Sequence, residues 1–205
     1  MSIVSSDSKS NVLFWSPCAG PGNARGKDGA CSVVFKYGMK RDFNGWLASL
    51  GPSAPVKTLA ELRRWNTAHQ KSGAIKYGQA QLDISDEMDL EADRARYQAD
   101  RERDLRLSRA EGIDAVMSGH KLDAVLFPGS TSAFIAAKAG YPTVIVPFGF
   151  VPNTPTPPFP GGFAARPSPF GVSFTGSSCS EPRLIELAYA FEQATRRRVP
   201  PPAFP

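Results

Sequence analysis

Two short apolar runs in the second half of the chain predict buried strands. Residues 124–127 and 143–146 are each about as long as a strand, and a proline follows each of them. Neither run alternates between polar and apolar side chains. Continuous apolar runs are typical of strands covered on both faces, as in the parallel strands of α/β sheets. The alanine-rich residues 132–139 between them predict a helix that packs closely on the sheet. We therefore predict a βαβ unit in which the two strands run parallel.

A third strand and a last helix follow this unit. Residues 171–175 alternate between polar and apolar side chains, which predicts an edge strand with one face in solvent. The proline-rich connection 147–169 is typical of a functional loop or a site of insertion. Ser180 and Pro182 predict the start of the last helix, with the serine hydroxyl as its N-terminal cap. Its predicted buried face is formed by Leu184, Leu187, Ala188, Phe191 and Ala194.

The first half of the chain is predicted to be mostly helical. Residues 33–37 favour a short strand, and residues 39–50 favour a helix. The predicted buried stripe of this helix is Phe43, Trp46, Leu47 and Leu50. Thr58, followed three residues later by Glu61, predicts a capping box at the start of the next helix. The predicted buried stripe of that helix is Leu59, Leu62 and Trp65.

Residues 86–117 predict a long helix with a charged, solvated surface. Acidic and basic residues recur three or four positions apart, as Glu102 and Arg106 do, and such pairs stabilise a helix exposed to water. The carboxylates of residues 83–91 lack the central glycine and the ligand order of a calcium loop. His69 has no second metal ligand at a suitable spacing and is predicted to lie at or near the surface. We therefore predict no metal site and no cofactor.

Composition and charge narrow the classes of function. The 205 residues are 41% hydrophobic and 21% charged, which predicts a folded chain. The net charge of +5 is spread over helices that also carry acidic residues, so a nucleic-acid partner is not expected. No apolar run approaches the length of a membrane span, so no membrane partner is expected either. Three cysteines, an odd number without regular spacing, indicate reduced thiols and a cytoplasmic location.

The start of the chain differs from the rest. Residues 1–32 are rich in Ser, Gly and Asn and have neither a helical nor a strand period, which predicts a flexible lead-in before a domain at 33–205. Residues 20–28 partly match a phosphate-binding loop, but Pro21 and Asp28 stand where that motif needs other residue types. We interpret them as a polar loop.

Few patterns in the sequence point to catalysis. The chain has two histidines, neither in a serine-hydrolase or metal-binding pattern, and it has no G-x-S-x-G motif. Two serine-rich turns, residues 129–132 and 176–178, carry hydroxyl groups that a pocket could use. Turn formation and helix capping account for both of them more simply.

Several blocks of sequence together resemble the C-terminal part of amidase signature family enzymes. They are TLAEL (58–62), WNTAH (65–69), KYGQ (76–79), EGIDA (111–115), LDAV (122–125), AGYP (139–142), VIVP (144–147), PFGVSFTG (169–176), SEP (180–182) and AYAFEQ (188–193). The order and spacing of these blocks are specific when taken together. They cover residues 33–202, whereas residues 1–32 match nothing in the family.

The resemblance implies a partial amidase-signature α/β fold, with a few mostly buried strands packed with several helices. It also implies an amide C–N hydrolase that uses a lysine base, a bridging serine and a nucleophilic serine that follows a Gly- and Ser-rich loop. This chain contains no such loop and no lysine that matches the catalytic one. We therefore assign no catalytic residue, and we expect the chain to be inactive by itself because the groups that lower the barrier are missing.

The end of the first predicted strand is the best candidate for binding a substrate. Ligands of open α/β sheets bind beyond the carboxyl ends of the strands. Phe127, Pro128, Gly129 and Ser130 are therefore predicted to line the substrate pocket of a complete enzyme, whose substrate the resemblance implies to be a small amide.

Two alternatives remain open. In one, the chain is a non-catalytic, truncated paralogue that binds another protein or another copy of itself through exposed sheet edges and apolar faces. In the other, the gene model is in error and residues 1–32 replace a true upstream segment.

Overall fold

The computed structural model describes Cys18 and residues 31–200. The chain divides into two compact units, Met1–Asp104 and Leu105–Pro205. The first unit is built from helices, and the second carries a three-stranded sheet with its own helices. The predictions for residues 1–17 and 19–30, which include the run 20–28, lie outside the described residues. The boundary predicted at residue 32 stays a prediction.

The first unit contains four helices and one short 3-10 turn within its described residues. They are α1 (Val34–Ser49), α2 (Leu59–Ala68), the turn Gln70–Ser72, α3 (Ala80–Asp86) and most of α4 (Arg94–Ser108). The strand predicted at 33–37 is wrong, because α1 already begins at Val34. The backbone N–H of Val33 donates to Oδ2 of Asp100 at 2.9 Å. This tertiary contact anchors the start of α1 and overrides the local preference for a strand.

The buried face of α1 differs from the predicted one. Leu47 is buried as predicted, but Trp46 and Leu50 are 54% and 46% exposed. Tyr37 and Lys36 are buried instead, and the Lys36 ammonium lies 3.8 Å from the Glu87 carboxylate. Most of the predicted stripe is therefore wrong.

The start of α2 is capped largely as predicted. The hydroxyl of Thr58 accepts a hydrogen bond from the backbone N–H of Glu61 at 3.1 Å. The Glu61 carboxylate accepts from the N–H of Lys57 at 2.6 Å, one residue before the position that a capping box predicts. Leu59 is fully buried, Leu62 is half-buried, and Trp65 is half exposed and stacks on His69. His69 is exposed, as predicted.

A disulfide between Cys18 and Cys31 corrects the prediction of reduced thiols. Both cysteines are buried, and the backbone N–H of Cys18 donates to the carbonyl of Ser32 at 2.7 Å. Among the described residues only Cys179 is a free thiol, and it is exposed. An odd number of cysteines is therefore compatible with one disulfide and one free thiol.

The charged segment 86–117 is interrupted, and part of it is buried. Residues 87–93 separate α3 from α4, and a π-helical segment, Arg109–Ile113, follows α4. Asp100 and Asp104 of α4 are buried, and Asp104 accepts a hydrogen bond from the Ser32 hydroxyl at 2.8 Å. Asp100 also accepts from Arg96 at 2.8 Å. The prediction of one solvated helix is therefore wrong, because charge spacing does not show which carboxylates have buried donors.

The described residues of the second unit contain three further helices around three strands. They are α5 (Asp114–His120), β1 (Val125–Pro128), α6 (Ala133–Ala139), β2 (Thr143–Val151), β3 (Ser168–Thr175) and α7 (Glu181–Thr195). Arg109 donates to the carbonyl of Ala139 at 2.6 Å, and the Tyr141 hydroxyl donates to Asp114 at 2.9 Å. These two bonds fix the end of α6 beside α5.

The strand order is β1-β3-β2, and β3 is antiparallel to both neighbours. β1 and β2 therefore run in the same direction, as predicted, but β3 lies between them and they do not pair with each other. β3 is the central strand, so its prediction as an edge strand is wrong. Ser173 and Thr175 are fully buried. Their hydroxyls are satisfied, because Ser173 donates to the Gly129 carbonyl and Thr175 shares a 2.9 Å hydrogen bond with Thr143.

The last helix packs on the sheet through most of the predicted face, although Ala194 is exposed. Val146, Phe174, Leu184 and Ala188 form a buried cluster, with Phe191 against it. The Ser180 hydroxyl does not cap α7, which corrects that prediction, because it donates to the carbonyl of Ser177. The α/β class is confirmed. Within Cys18 and residues 31–200, no helix combines the length and the apolar character needed to cross a membrane.

Candidate functional site

The loop that follows β1 is held by hydrogen bonds to the middle of β3. Gly129 has a positive φ of 59°, a conformation that favours glycine. Its N–H donates to the carbonyl of Gly171 at 2.7 Å, and its carbonyl accepts from the hydroxyl of Ser173. The Thr131 hydroxyl donates to the carbonyl of Pro128 at 2.8 Å. The loop is thus fixed by hydrogen bonds on both sides of Gly129.

The four residues predicted to line a pocket lie together at this place. Phe127 pairs with Ser173 and is half-buried, as is Gly129, while Pro128 and Ser130 are exposed. They are consecutive residues at and directly after the carboxyl end of β1. Their function in binding a substrate stays a prediction.

The neighbouring strands extend past the end of β1. Pro128 and Val146 both pair with Val172, so β1 ends where β2 and β3 continue for several more residues as a two-stranded ribbon. A Cβ added at Gly129 would lie 3.9 Å from the ring of Phe170 on this ribbon. The candidate site therefore consists of the Gly129 loop with Phe170 beside it.

The residues of β3 that hold this loop are not among the predicted site residues. Gly171 and Ser173 lie more than 40 positions after Gly129, and nothing local in the sequence connects them. The sequence carried one signal of this contact at Gly171, because a glycine inside a strand often marks a place where another backbone approaches closely. A Cβ added at Gly171 would lie 2.9 Å from the carbonyl oxygen of Val146.

Ser132 is the unusual hydroxyl of the first serine-rich turn. It is fully buried before α6, and among the described residues its Oγ has no hydrogen-bond partner. Leaving a buried hydroxyl unpaired costs about 1–3 kcal/mol. The Ser132 hydroxyl is therefore a buried polar group of this turn that makes no hydrogen bond to the described residues.

The second serine-rich turn has a structural role. A Cβ added at the buried Gly176 would collide with the hydroxyl of Ser180, so only glycine fits there. The Ser180 hydroxyl donates to the carbonyl of Ser177 at 2.7 Å, and the Ser178 hydroxyl lies 3.6 Å from the sulfur of Cys179. These contacts shape the turn before α7.

Two open grooves of about 480 and 490 Å³ lie in the first unit, and none of the predicted pocket residues lines either of them. Arg63 borders the first groove and donates to Asp83 at 2.6 Å and to Asp86 at 2.5 Å. Burial alone would raise the pKa of Asp86, but hydrogen bonds from Arg63 and Lys40 lower it by more, so the pKa lies below its usual value. These charges form a structural ion-pair network.

Among the described residues no group of three His, Cys, Asp or Glu side chains is placed to hold a metal ion.

The chain is similar to several amidases. No family model matches it. A probable amidase of Arabidopsis thaliana is 33% identical over 182 residues, which are 86% of this chain and 31% of that protein. A protein of Arthroderma benhamiae that is named as an amidase is 31% identical over 70% of this chain and 24% of its own length. The structure of the peptide amidase from Stenotrophomonas maltophilia has a TM-score of 0.66 and 36% identity, covering 82% of this chain and 34% of that one.

These similarities define a partial amidase-like chain. The Stenotrophomonas peptide amidase matches this chain in both fold and sequence over 82% of the chain, and the Arabidopsis amidase matches its sequence over 86%. The chain resembles amidase signature family enzymes over most of its own length. It spans about a third of the length of the relatives that it matches. The predicted resemblance to this family is confirmed.

Proposed function

We propose that the chain is the C-terminal part of an amidase-family hydrolase acting on carboxylic amide C–N bonds, and that it hydrolyses no amide by itself. The observation that carries this proposal is the family similarity over about a third of each relative's length. The 205-residue sequence also lacks the Gly- and Ser-rich nucleophile loop that the family resemblance implies.

The contacts of the described serines support the proposal of inactivity. Amide hydrolysis by a serine needs a base that removes the hydroxyl proton and donors that stabilise the oxyanion. The hydroxyl of Ser173 donates to the carbonyl of Gly129, and that of Ser180 donates to the carbonyl of Ser177. A carbonyl oxygen orients a hydroxyl but does not take its proton. These two serines therefore support the backbone.

The role proposed for Phe127, Pro128, Gly129 and Ser130 is one wall of a substrate pocket. The hydrogen bonds around Gly129 hold this wall in one position, as a binding surface requires. A small amide is the proposed substrate in a complete enzyme, and the name of the Stenotrophomonas relative favours an amidated peptide. A cytoplasmic location stays a prediction, and the Cys18–Cys31 disulfide weakens its basis because disulfides are more common in oxidising compartments.

The test is an amidase assay on the pure 205-residue chain. A C-terminally amidated peptide and an arylamide are incubated with the chain, with the Stenotrophomonas peptide amidase as the positive control. We expect ammonia or arylamine release at the rate of the blank. Release well above the blank would refute the proposed inactivity.

A second candidate function is a non-catalytic interaction protein. The observation that favours it is the exposure of apolar side chains on the two outer strands: Leu126 of β1 is 55% exposed, and Ile145 of β2 is 52% exposed. Unpaired strand edges with apolar side chains invite association. Light scattering after gel filtration tests it: a concentration-dependent dimer favours this function, whereas a monomer with a cooperative melt opposes it.

A further inference from the structure

The Cys18–Cys31 disulfide lies directly beside the start of α1. The two cysteines are 2% and 6% exposed. They form one buried cluster with Val33, Tyr37 and Met88. Cys31 is three positions before the first residue of α1, and the N–H of Cys18 donates to the carbonyl of Ser32 at 2.7 Å. The disulfide therefore fixes Cys18 against the residues that lead into this helix.

Two buried carboxylates of α4 accept hydrogen bonds from the residues next to the disulfide. The Ser32 hydroxyl donates to Asp104 at 2.8 Å, and the N–H of Val33 donates to Asp100 at 2.9 Å. Asp100 and Asp104 are only 4% and 3% exposed. A carboxylate that stays buried after it loses a donor costs free energy. The position of α4 therefore depends on where Ser32 and Val33 are held.

Arg96 of α4 connects the same two parts of the first unit. Its guanidinium donates to the carbonyl of Cys31 and to the carboxylate of Asp100, each at 2.8 Å. One side chain thus contacts a disulfide-bonded residue and a buried carboxylate. Moving Cys31 would therefore disturb the contacts of Asp100 as well as its own.

These contacts couple the oxidation state of the two cysteines to the junction of α1 and α4. A cross-link between residues 13 positions apart removes many arrangements that the unfastened chain could adopt, and so it favours the closed one. We propose that the Cys18–Cys31 pair is a redox-sensitive latch. Oxidation fastens the start of α1 to α4, and reduction releases it while the second unit, which has its own buried cluster, stays folded.

The redox step needs an external oxidant or reductant. In closing, the two thiols lose two protons and two electrons and form the S–S bond, and glutathione disulfide takes up both and leaves as two glutathione thiols. In opening, a phosphine and one water convert the disulfide to two thiols and a phosphine oxide. Both sulfurs are buried in the closed state, which makes their exchange with other thiols slow.

Hydrogen exchange of the full chain, read by mass spectrometry, tests the latch. One sample is held in glutathione disulfide and the other in excess tris(2-carboxyethyl)phosphine, and iodoacetamide labelling confirms one and three free thiols. We expect the amides of residues 33–40 and 97–104 to exchange at least about tenfold faster in the reduced sample. The amides of β2 and β3 should change by less than about twofold. Returning the reduced sample to glutathione disulfide should restore slow exchange.

Two variants separate the latch from other effects of the reagents. The double variant Cys18→Ala with Cys31→Ala cannot form the cross-link, so we expect it to exchange like the reduced chain in both solutions. Cys179→Ala is the matched control, because it removes an exposed thiol outside the pair. We expect it to respond to the phosphine as the wild-type chain does.

Four results would overturn the latch. The first is equal exchange of residues 33–40 in the oxidised and reduced chains. The second is faster exchange in β2 and β3 as well, because the disulfide would then stabilise the whole chain. The third is a folded chain in which the phosphine never reduces the pair. The fourth is a double variant that still slows its exchange in glutathione disulfide.

Discussion

Leu184→Ala tests whether α7 and the sheet form the core of the second unit. Leu184 is fully buried and packs with Val146, Phe174 and Ala188. The change removes three carbon atoms and leaves helix propensity favourable. Buried Leu→Ala changes cost 2–5 kcal/mol through lost transfer free energy and the cavity left behind, and we expect about 3 kcal/mol for Leu184→Ala.

Ile185→Ala is the matched control for this prediction. Ile185 is the next residue of the same helix, and it is 59% exposed. The change also shortens an aliphatic side chain to alanine, so the two variants differ mainly in burial. We expect the control to change the free energy of unfolding by less than about 0.5 kcal/mol.

Urea unfolding followed by circular dichroism measures both variants. Because the chain has two compact units, unfolding need not be two-state, and hydrogen exchange at the amides of β2 and β3 shows where the loss lies. Faster exchange in these strands for Leu184→Ala alone is the expected result. Equal costs for Leu184→Ala and Ile185→Ala would refute the packing described for α7.

Three further predictions test the sheet, the cysteines and the ion pairs. Gly171→Ala should destabilise the chain by about 1–3 kcal/mol, because a Cβ there would lie 2.9 Å from a carbonyl oxygen, whereas Gly149→Ala meets nothing within 4 Å. Without reductant, iodoacetamide should label Cys179 alone, as intact mass shows. Because the pKa of Asp86 is lower in the folded state, the free energy of unfolding should fall as the pH drops below about 4, and less so in Asp86→Asn.

Each of these predictions has a contradicting result. Equal urea midpoints for the two glycine variants would show that β3 does not approach β2 as closely as described. Labelling of three cysteines in the native chain without reductant would exclude the disulfide. An unchanged acid slope in Asp86→Asn would mean that the ion pair with Arg63 contributes little to folding.

The sequence predicted elements better than their arrangement. The strands of the second unit and the buried face of α7 follow from local periodicity, and they are present where expected. The order β1-β3-β2 depends on pairing across the connection 152–167, which no local pattern encodes. Ser173 and Thr175 suggested a solvated face because they are polar. Hydrogen bonds to Gly129 and Thr143 allow them to be buried.

In the first unit, too, local sequence patterns did not predict the contacts between distant residues. The preference of residues 33–37 for a strand gives way to a helix, because the buried carboxylate of Asp100 anchors Val33 from 67 positions away. Likewise, residues 127–130 are contiguous, so a local pattern could single them out as candidates, whereas Ser173 is connected to Gly129 only by a hydrogen bond across 44 positions. Contacts between residues far apart in the chain account for most of the errors.

We propose that this chain is one part of an amidase-type enzyme and lacks its catalytic groups. The most direct measurement of this is ammonia release from a C-terminally amidated peptide by the pure chain, compared with Ser130→Ala and Ser178→Ala. We expect all three proteins to release ammonia no faster than buffer. Turnover by the wild-type chain that either serine variant abolishes would contradict it.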